Sequence, residues 1–460
     1  MDLATTLPAE LWLYICDFLP RKDILKLSTV HPILRAYAHP HTWKILTLET
    51  AHGASNEQMT VLLGEPALRS YVTQIVIKAT TPRRAGVWEQ PFLHLRHALL
   101  SYQSTSAILE VVPNLENNHI VTKLRCLHLE LGSRETLEIF SSSLRDSAVV
   151  FEHINALILH LYVGQGTEFM ENVRTIADAC RTSIQALRLI FGSFNTQSNS
   201  VAAVLSSLGA FPHLGHFDFT TDTDSGARVY QEFVMKHRST LMCLQTTTRN
   251  PCLLPLSLYS ADPSVDPPRN IKALNFAHEV PGTPYWWMWS GLSGLENLAR
   301  YAGALTTLIL EIIPGSTGIR RGLDFQEVTE IVTQLDQKPH GVLLERLKLT
   351  VSHLRPQLID LMASYLGKLH ILDLTYMILV NKAGQNTNEV GRSFVSSYLH
   401  SPEVNCPQDW KLQSVDLNSG RGRQNMDLMR LAASRIPSIR AYGPFDWSDA
   451  DFLSILLLIR

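Results

Sequence analysis

The sequence predicts an α/β repeat protein in which a short N-terminal helical module precedes an irregular solenoid with a curved parallel sheet. Three observations carry the prediction. An apolar-x-x-apolar-x-apolar pattern returns many times between residues 72 and 417, at first with nearly constant spacing. Stretches with helical periodicity lie between its copies. Residues 7–48 lack the pattern and are divided by prolines into short amphipathic segments.

The chain opens with that module. Pro8 can start a helix at a position where its missing N–H costs nothing, and Leu11, Ile15, Phe18 and Leu19 then fall on one helical stripe. Pro20 ends the segment, and Asp23 places negative charge at the start of the next helix, in keeping with the helix dipole. Pro32 and Pro40 are expected to bracket a third short helix, and the module closes near Trp43. Three helices in so few residues bury little surface, so the module should lean on a partner or on the first repeat. Leu7-Pro8, Glu10-Leu11, Ile15, Leu19-Pro20, Asp23-Ile24, Leu27, Val30 and Trp43 stand where the F-box motif expects them, and residues 1–48 resemble that module. The third helix departs from the motif, carrying His31-Pro32-Ile33-Leu34 where Cys and Trp are frequent. The resemblance implies that Leu7, Pro8, Leu11, Ile15, Leu19, Ile24 and Leu27 meet a Skp-type adaptor, and through it a cullin. About half of them would instead form the module's own core.

Residues 49–460 carry the repeats. The pattern begins at Val72, Leu124, Ile154, Ile184, Leu214, Leu241, Ile271, Leu305, Leu344, Leu369 and Leu412. From Leu124 the steps are 30, 30, 30, 27 and 30 residues, followed by 34, 39, 25 and 43. Each copy alternates at period two and reads as a short strand. Leu137, Phe140 and Leu144, and likewise Phe169, Val173 and Ile176, show the spacing of an intervening helix. One such unit cannot bury its own apolar face, so neighbours must stack. A strand and a helix every ~30 residues resembles the leucine-rich repeat family, whose units are slightly shorter. The usual Asn or Cys at the ninth position is missing, with Gly132, Tyr162, Gly192, Asp222, Arg249 and Glu279 in successive units. The later steps and the stretch 380–411 are expected to hold insertions, and Pro251 to Pro268 reads as a surface insertion.

In strands of this register the third, fifth and seventh positions share the face opposite the core. Third positions are often small, as at Cys126, Ala156, Ala186, Cys243 and Ala273. Fifth positions include His128, Arg188, Asp218, Lys348, Asp373 and Asp416, and seventh positions include Glu130 and His160. The charged members are candidate contacts to a protein substrate, or else a plainly solvated sheet face. Trp286 and Trp287 lie in a Trp-rich stretch that is either an exposed anchor or packed on the sheet. Arg320 and Arg321, with Arg83-Arg84 and Arg421-Arg423, follow strands and either bind an acidic segment or serve solubility.

Composition narrows the function. The chain has 460 residues, 45% hydrophobic and 18% charged, with 40 basic against 42 acidic side chains and a net charge of −2. That balance lacks the footprint of a nucleic-acid or membrane-surface binder, and no apolar run reaches the ~20 residues of a membrane span. Six scattered cysteines without a C-x-x-C pair point to neither a disulfide framework nor a thiolate metal cage. The histidines show no ligand spacing, no metal or other cofactor is implied, and no hydrolase, phosphate-loop or dinucleotide motif occurs. These features and the F-box resemblance imply an intracellular, cytoplasmic or nuclear, non-catalytic substrate receptor of a Skp-cullin-F-box type ubiquitin ligase. The alternative is a repeat scaffold outside any ligase, its N-terminal helices merely capping the solenoid. A hydrolase without a recognisable motif is a remote third.

Overall fold

The computed structural model describes residues 7–19, 21–49, 71, 74–79, 125–131, 137–138, 141–142, 153–161, 167–191, 198–221, 227–248, 270–279, 304–313, 322–336, 343–380, 410–419, 423–424, 428–429, 432, 436 and 438–442. The chain is α/β, built on parallel strands with helices between them, and it divides into two compact units, Met1–His213 and Leu214–Arg460.

The first unit begins with three helices, α1 (Ala9–Phe18), α2 (Arg21–Val30) and α3 (Pro32–Trp43). Pro8 precedes α1, and its carbonyl accepts the N–H groups of Leu11 and Trp12. Leu19 leaves the helix in an extended conformation (φ −89°, ψ 140°), as a residue before proline prefers. Helices α2 and α3 pack on each other, and α1 packs on α3, around Cys16, Ile24, Leu34 and Ala38. Pro40 departs from the sequence expectation, because it lies inside α3 rather than at its end. A proline there gives up one backbone hydrogen bond, and the Thr42 hydroxyl donates to the Ala38 carbonyl in the same turn.

Five parallel strands follow: β1 (Ile45–Glu49), β2 (Gln74–Ala79), β3 (Cys126–Leu131), β4 (Ala156–Leu161) and β5 (Ala186–Phe191). They pair in chain order, with Ile45 beside Gln74, Gln74 beside Cys126, Cys126 beside Ala156 and Ala156 beside Ala186. Thus Ile45–Leu48, assigned from the sequence to the helical module, lie in the first strand, and the expected boundary at residue 48 falls within β1. Helix α4 (Thr167–Ala179) crosses from β4 to β5, and α5 (Ser198–Ser207) follows β5. Phe169, Val173, Ile176 and Ala177 of α4 are buried, as are Leu157, Leu159, Leu187 and Leu189 of the strands. The Ser141 hydroxyl donates to the Asn172 side-chain oxygen at 2.7 Å, tying the helical residues 141–142 to α4 inside the core.

The second unit repeats the scheme with β6 (His216–Thr221), α6 (Ala227–Lys236), β7 (Cys243–Thr248), β8 (Ala273–Glu279), β9 (Thr307–Ile313), α7 (Phe325–Asp336), β10 (Arg346–Leu354), α8 (Pro356–Tyr365), β11 (Ile371–Leu379) and β12 (Ser414–Ser419). Neighbouring strands are again parallel and in chain order. Phe217 packs against Phe233 (ring centroids 4.7 Å apart) and Phe219 against Tyr230 (5.1 Å). The Tyr230 hydroxyl lies 2.6 Å from the Thr246 hydroxyl, so the aromatic core meets its one polar need inside. Two elements were not expected. The short β13 (Arg423–Gln424) runs antiparallel to β12, and β14 (Ala441–Tyr442) adds another parallel pairing, Ser414 beside Ala441.

The strands from β2 to β12 all begin two residues after the repeat starts read from the sequence, although the steps between them run from 25 to 43 residues beyond Leu305. A recurring backbone arrangement accounts for this. The carbonyl just before a strand accepts two N–H groups from the equivalent place in the next unit: Arg125 from Asn155 and Ala156, Asn155 from Gln185 and Ala186. The same arrangement recurs at Gly215, Met242, Lys272, Thr306, Glu345, His370 and Gln413. Strand entry is therefore fixed locally, and the length of the intervening segment does not disturb the register.

Candidate functional site

Because neighbours are paired without slippage, the fifth positions form lateral rows. In the first unit Val76, His128, Ile158 and Arg188 lie side by side. In the second the row runs Asp218, Gln245, Asn275, Ile309, Lys348, Asp373, Asp416. The sequence supplied the members of both rows, and the pairing places them next to one another.

Their burial corrects the picture of a solvated face. Asp218, Asp373 and Asp416 are buried, Asp416 completely (0% exposed), while Arg188 and Lys348 are half-buried. Side chains in adjacent parallel strands stand only ~4.8 Å apart, so an interior position of a row is shielded by its lateral neighbours. The Lys348 ammonium sits 2.5 Å from Glu311 Oε1 and 3.8 Å from Asp373 Oδ2, bridging one carboxylate in its own row and one in the next. Burial pushes the Asp416 carboxyl above its ordinary value, against the opposing pull of the Asn418 amide, which donates to Asp416 Oδ2 at 2.7 Å, and of the Lys348 charge. Removing a carboxylate from water costs more here than these partners return. The three aspartates are thus covered, whereas Arg188, Lys348 and Glu311 remain partly open to solvent.

A second grouping was missed. The histidines show no ligand spacing along the chain, yet His128 and Glu130 of β3 and His160 of β4 stand together, with ligand atoms all within 4.8 Å of one another. Glu130 and His160 are lateral partners, and the two imidazoles meet edge to face with centroids 5.3 Å apart. The signal was present as a fifth-position His beside a seventh-position Glu and His, but it needed the β3–β4 register to be legible. Cys126, two residues before His128, is a free buried thiol that burial pushes up to about 12. Cys243 is likewise pushed up to about 12 by burial and by the nearby Asp218 carboxylate, and burial raises Cys180 as well.

On the N-terminal helices, Leu7, Pro8, Leu11 and Ile15 are exposed, Leu19 and Leu27 are half-buried, and Ile24 is buried at 4%. Ile24 is thus a core residue and offers no contact surface as it stands. Tyr14, Leu25 and Val30 join the exposed set. Trp286, Trp287, Arg320 and Arg321 lie outside the described residues, as do Arg83, Arg84 and Arg421, whereas Arg423 falls in β13. Among the described residues no helix is long and apolar enough to cross a membrane. Comparison with models of known protein families gives no match, and comparison with curated proteins gives none.

Proposed function

We propose that this protein is the substrate-recognition subunit of a Skp-cullin-F-box type ubiquitin ligase. In this reading α1 to α3 form an F-box that binds a Skp-type adaptor, and the strand–helix units, similar to leucine-rich repeats, hold a protein substrate. No chemistry is assigned to the chain. It acts by raising the effective concentration of substrate beside the ubiquitin-charged enzyme.

The observation that carries the reading is the distribution of exposed apolar side chains. Of the nine large ones exposed among the described residues, six lie between positions 7 and 30: Leu7, Leu11 (47%), Tyr14 (61%), Ile15, Leu25 and Val30 (73%). The same helices already have an interior of Cys16, Ile24, Leu34 and Ala38. An apolar surface left over after a module has formed its core is the usual mark of a protein contact, and it coincides with the segment that resembles the F-box.

The test is capture of the full chain by a purified Skp-type adaptor. Wild type should be retained, and Leu7→Ala/Pro8→Ala and Leu11→Ala/Ile15→Ala should each lose retention while keeping the wild-type circular dichroism spectrum. Retention unaffected by both double substitutions would overturn the proposal. A second reading, in which the helices only cap the first strand, rests on the continuity of α3 with β1: Lys44 alone separates them, its carbonyl accepts the Gln74 N–H, and α3 packs on β1. Failure of the wild-type chain to bind any Skp-type adaptor would favour that reading.

A further inference from the structure

We propose that His128, Glu130 and His160 form a binding site for a divalent transition-metal ion of the zinc type, with one coordination position open. The placement follows from the strands. Glu130 and His160 are lateral partners on adjacent parallel strands, and His128 is two residues before Glu130 on the same face. Rises of ~3.3 Å per residue and ~4.8 Å between strands put the three Cα atoms at the corners of a right triangle with its longest side about 8 Å. Side chains of this length converge from such a triangle onto a point above the sheet.

The separation of the two rings is compatible with a shared ion. A Zn²⁺ bonded at ~2.0–2.1 Å to one nitrogen of each imidazole, at the tetrahedral angle, holds the centroids about 5.2 Å apart. The observed separation is 5.3 Å, with the planes inclined at 68°. The ligand atoms lie within 4.8 Å of one another, whereas tetrahedral Zn²⁺ ligands stand roughly 3.4 Å apart. Closure of at most about 1.4 Å lies within the reach of side-chain torsions, and all three residues are only half-buried.

The donor set selects the ion. Two imidazoles and one carboxylate suit Zn²⁺, whereas Mg²⁺ and Ca²⁺ prefer all-oxygen sites with six or more ligands. Two neutral imidazoles and one carboxylate leave the ion with a net charge of +1, so the open position favours water or an anionic donor. The inference concerns β3 and β4 alone and does not depend on adaptor binding.

The experiment is titration of the full chain with Zn²⁺ against a chromophoric chelator, with Mg²⁺ as the control ion and Co²⁺ as the spectroscopic probe. Wild type should contain a site that Mg²⁺ does not fill, and its Co²⁺ complex should show visible absorption of a four- or five-coordinate centre. His128→Ala and His160→Ala should each weaken that site by about tenfold or more, while His213→Ala, at an exposed histidine away from the cluster, should leave it unchanged. Glu130→Gln keeps both imidazoles and should still weaken binding and shift the Co²⁺ spectrum, which guards against a histidine variant that does not fold. Apparent affinity should fall on acidification, as protons compete for the imidazoles. Equal Zn²⁺ affinity and an identical Co²⁺ spectrum in the folded His128→Ala/His160→Ala double variant would overturn the proposal, as would a wild-type chain that binds no Zn²⁺.

Discussion

The N-terminal helices and the strands treat the same kinds of residue in opposite ways. In α1 and α2, Leu11, Tyr14, Ile15, Leu25 and Val30 face solvent. In β4 to β7 the leucines and phenylalanines at core-facing positions are fully covered, and the opposite face buries even a carboxylate, that of Asp218. Size and repetition explain the contrast. A trio of short helices has too little interior to cover every apolar side chain, whereas a strand between two parallel neighbours is shielded laterally as well as by the helices behind it. The comparison teaches that an apolar residue has different work in each place: it holds the fold together in the strands and remains available to another molecule in the helices.

The largest effect should come from exchanging one residue of each kind. Phe217 is fully buried and touches the rings of Phe219, Tyr230 and Phe233. Phe217→Ala should therefore cost about 3–5 kcal/mol, the range for emptying an aromatic core site. Leu11→Ala, at a side chain 47% exposed, should change stability by no more than about 0.5 kcal/mol. Urea denaturation followed by circular dichroism measures both. Comparable losses at the two positions would break the contrast, for they would mean that the surface of α1 is covered within the chain itself.

A smaller effect separates the two regions at their helix ends. Helix α7 is opened by a reciprocal pair: Asp324 Oδ1 accepts the Glu327 N–H and Glu327 Oε2 accepts the Asp324 N–H, both at 2.8 Å. Helix α1 begins after Pro8 with no side-chain cap. Asp324→Ala should cost about 1 kcal/mol, whereas Pro8→Ala removes no capping hydrogen bond and should leave stability nearly unchanged. A large loss at Pro8 with none at Asp324, read from thermal melts, would reverse the ranking of the two regions.

How much of this was legible in the sequence depended on whether a feature is local. The strand starts from Gln74 to Ser414 follow from apolar residues at fixed offsets within a few positions of each start, and the backbone arrangement at strand entry is equally local. The two-residue strands β13 and β14 are too short for period-two alternation to register. Pro40 inside α3 runs against a rule that holds on average, and only the packed helix shows the exception. The rows of side chains were legible as candidates, since Arg188, Asp218, Lys348, Asp373 and Asp416 share one repeat position. Their burial was not, because it depends on which strands lie alongside. His128 and His160 show the same limit, being read as unrelated until the register of β3 against β4 made them neighbours.

The smallest effect tests the claim that the strands bury even charge. Burial holds the Asp416 carboxyl above its ordinary value, so the folded chain binds this proton more tightly than the unfolded chain does. Below the ordinary aspartate value, 3.8, both states are protonated and the group costs nothing. As pH rises from there through the raised folded value, the unfolded state ionises first and stability falls, and above the folded value the cost is constant. At neutral pH wild type therefore carries a penalty that an amide of the same shape avoids. Asp416→Asn should melt at a higher temperature than wild type at pH 7, and the gap should narrow on acidification and close near pH 3. If the variant instead melts lower at pH 7, the pairing of Asp416 with Lys348 and Asn418 outweighs its burial, and the row in the second unit is held by its ion pairs rather than merely tolerating them.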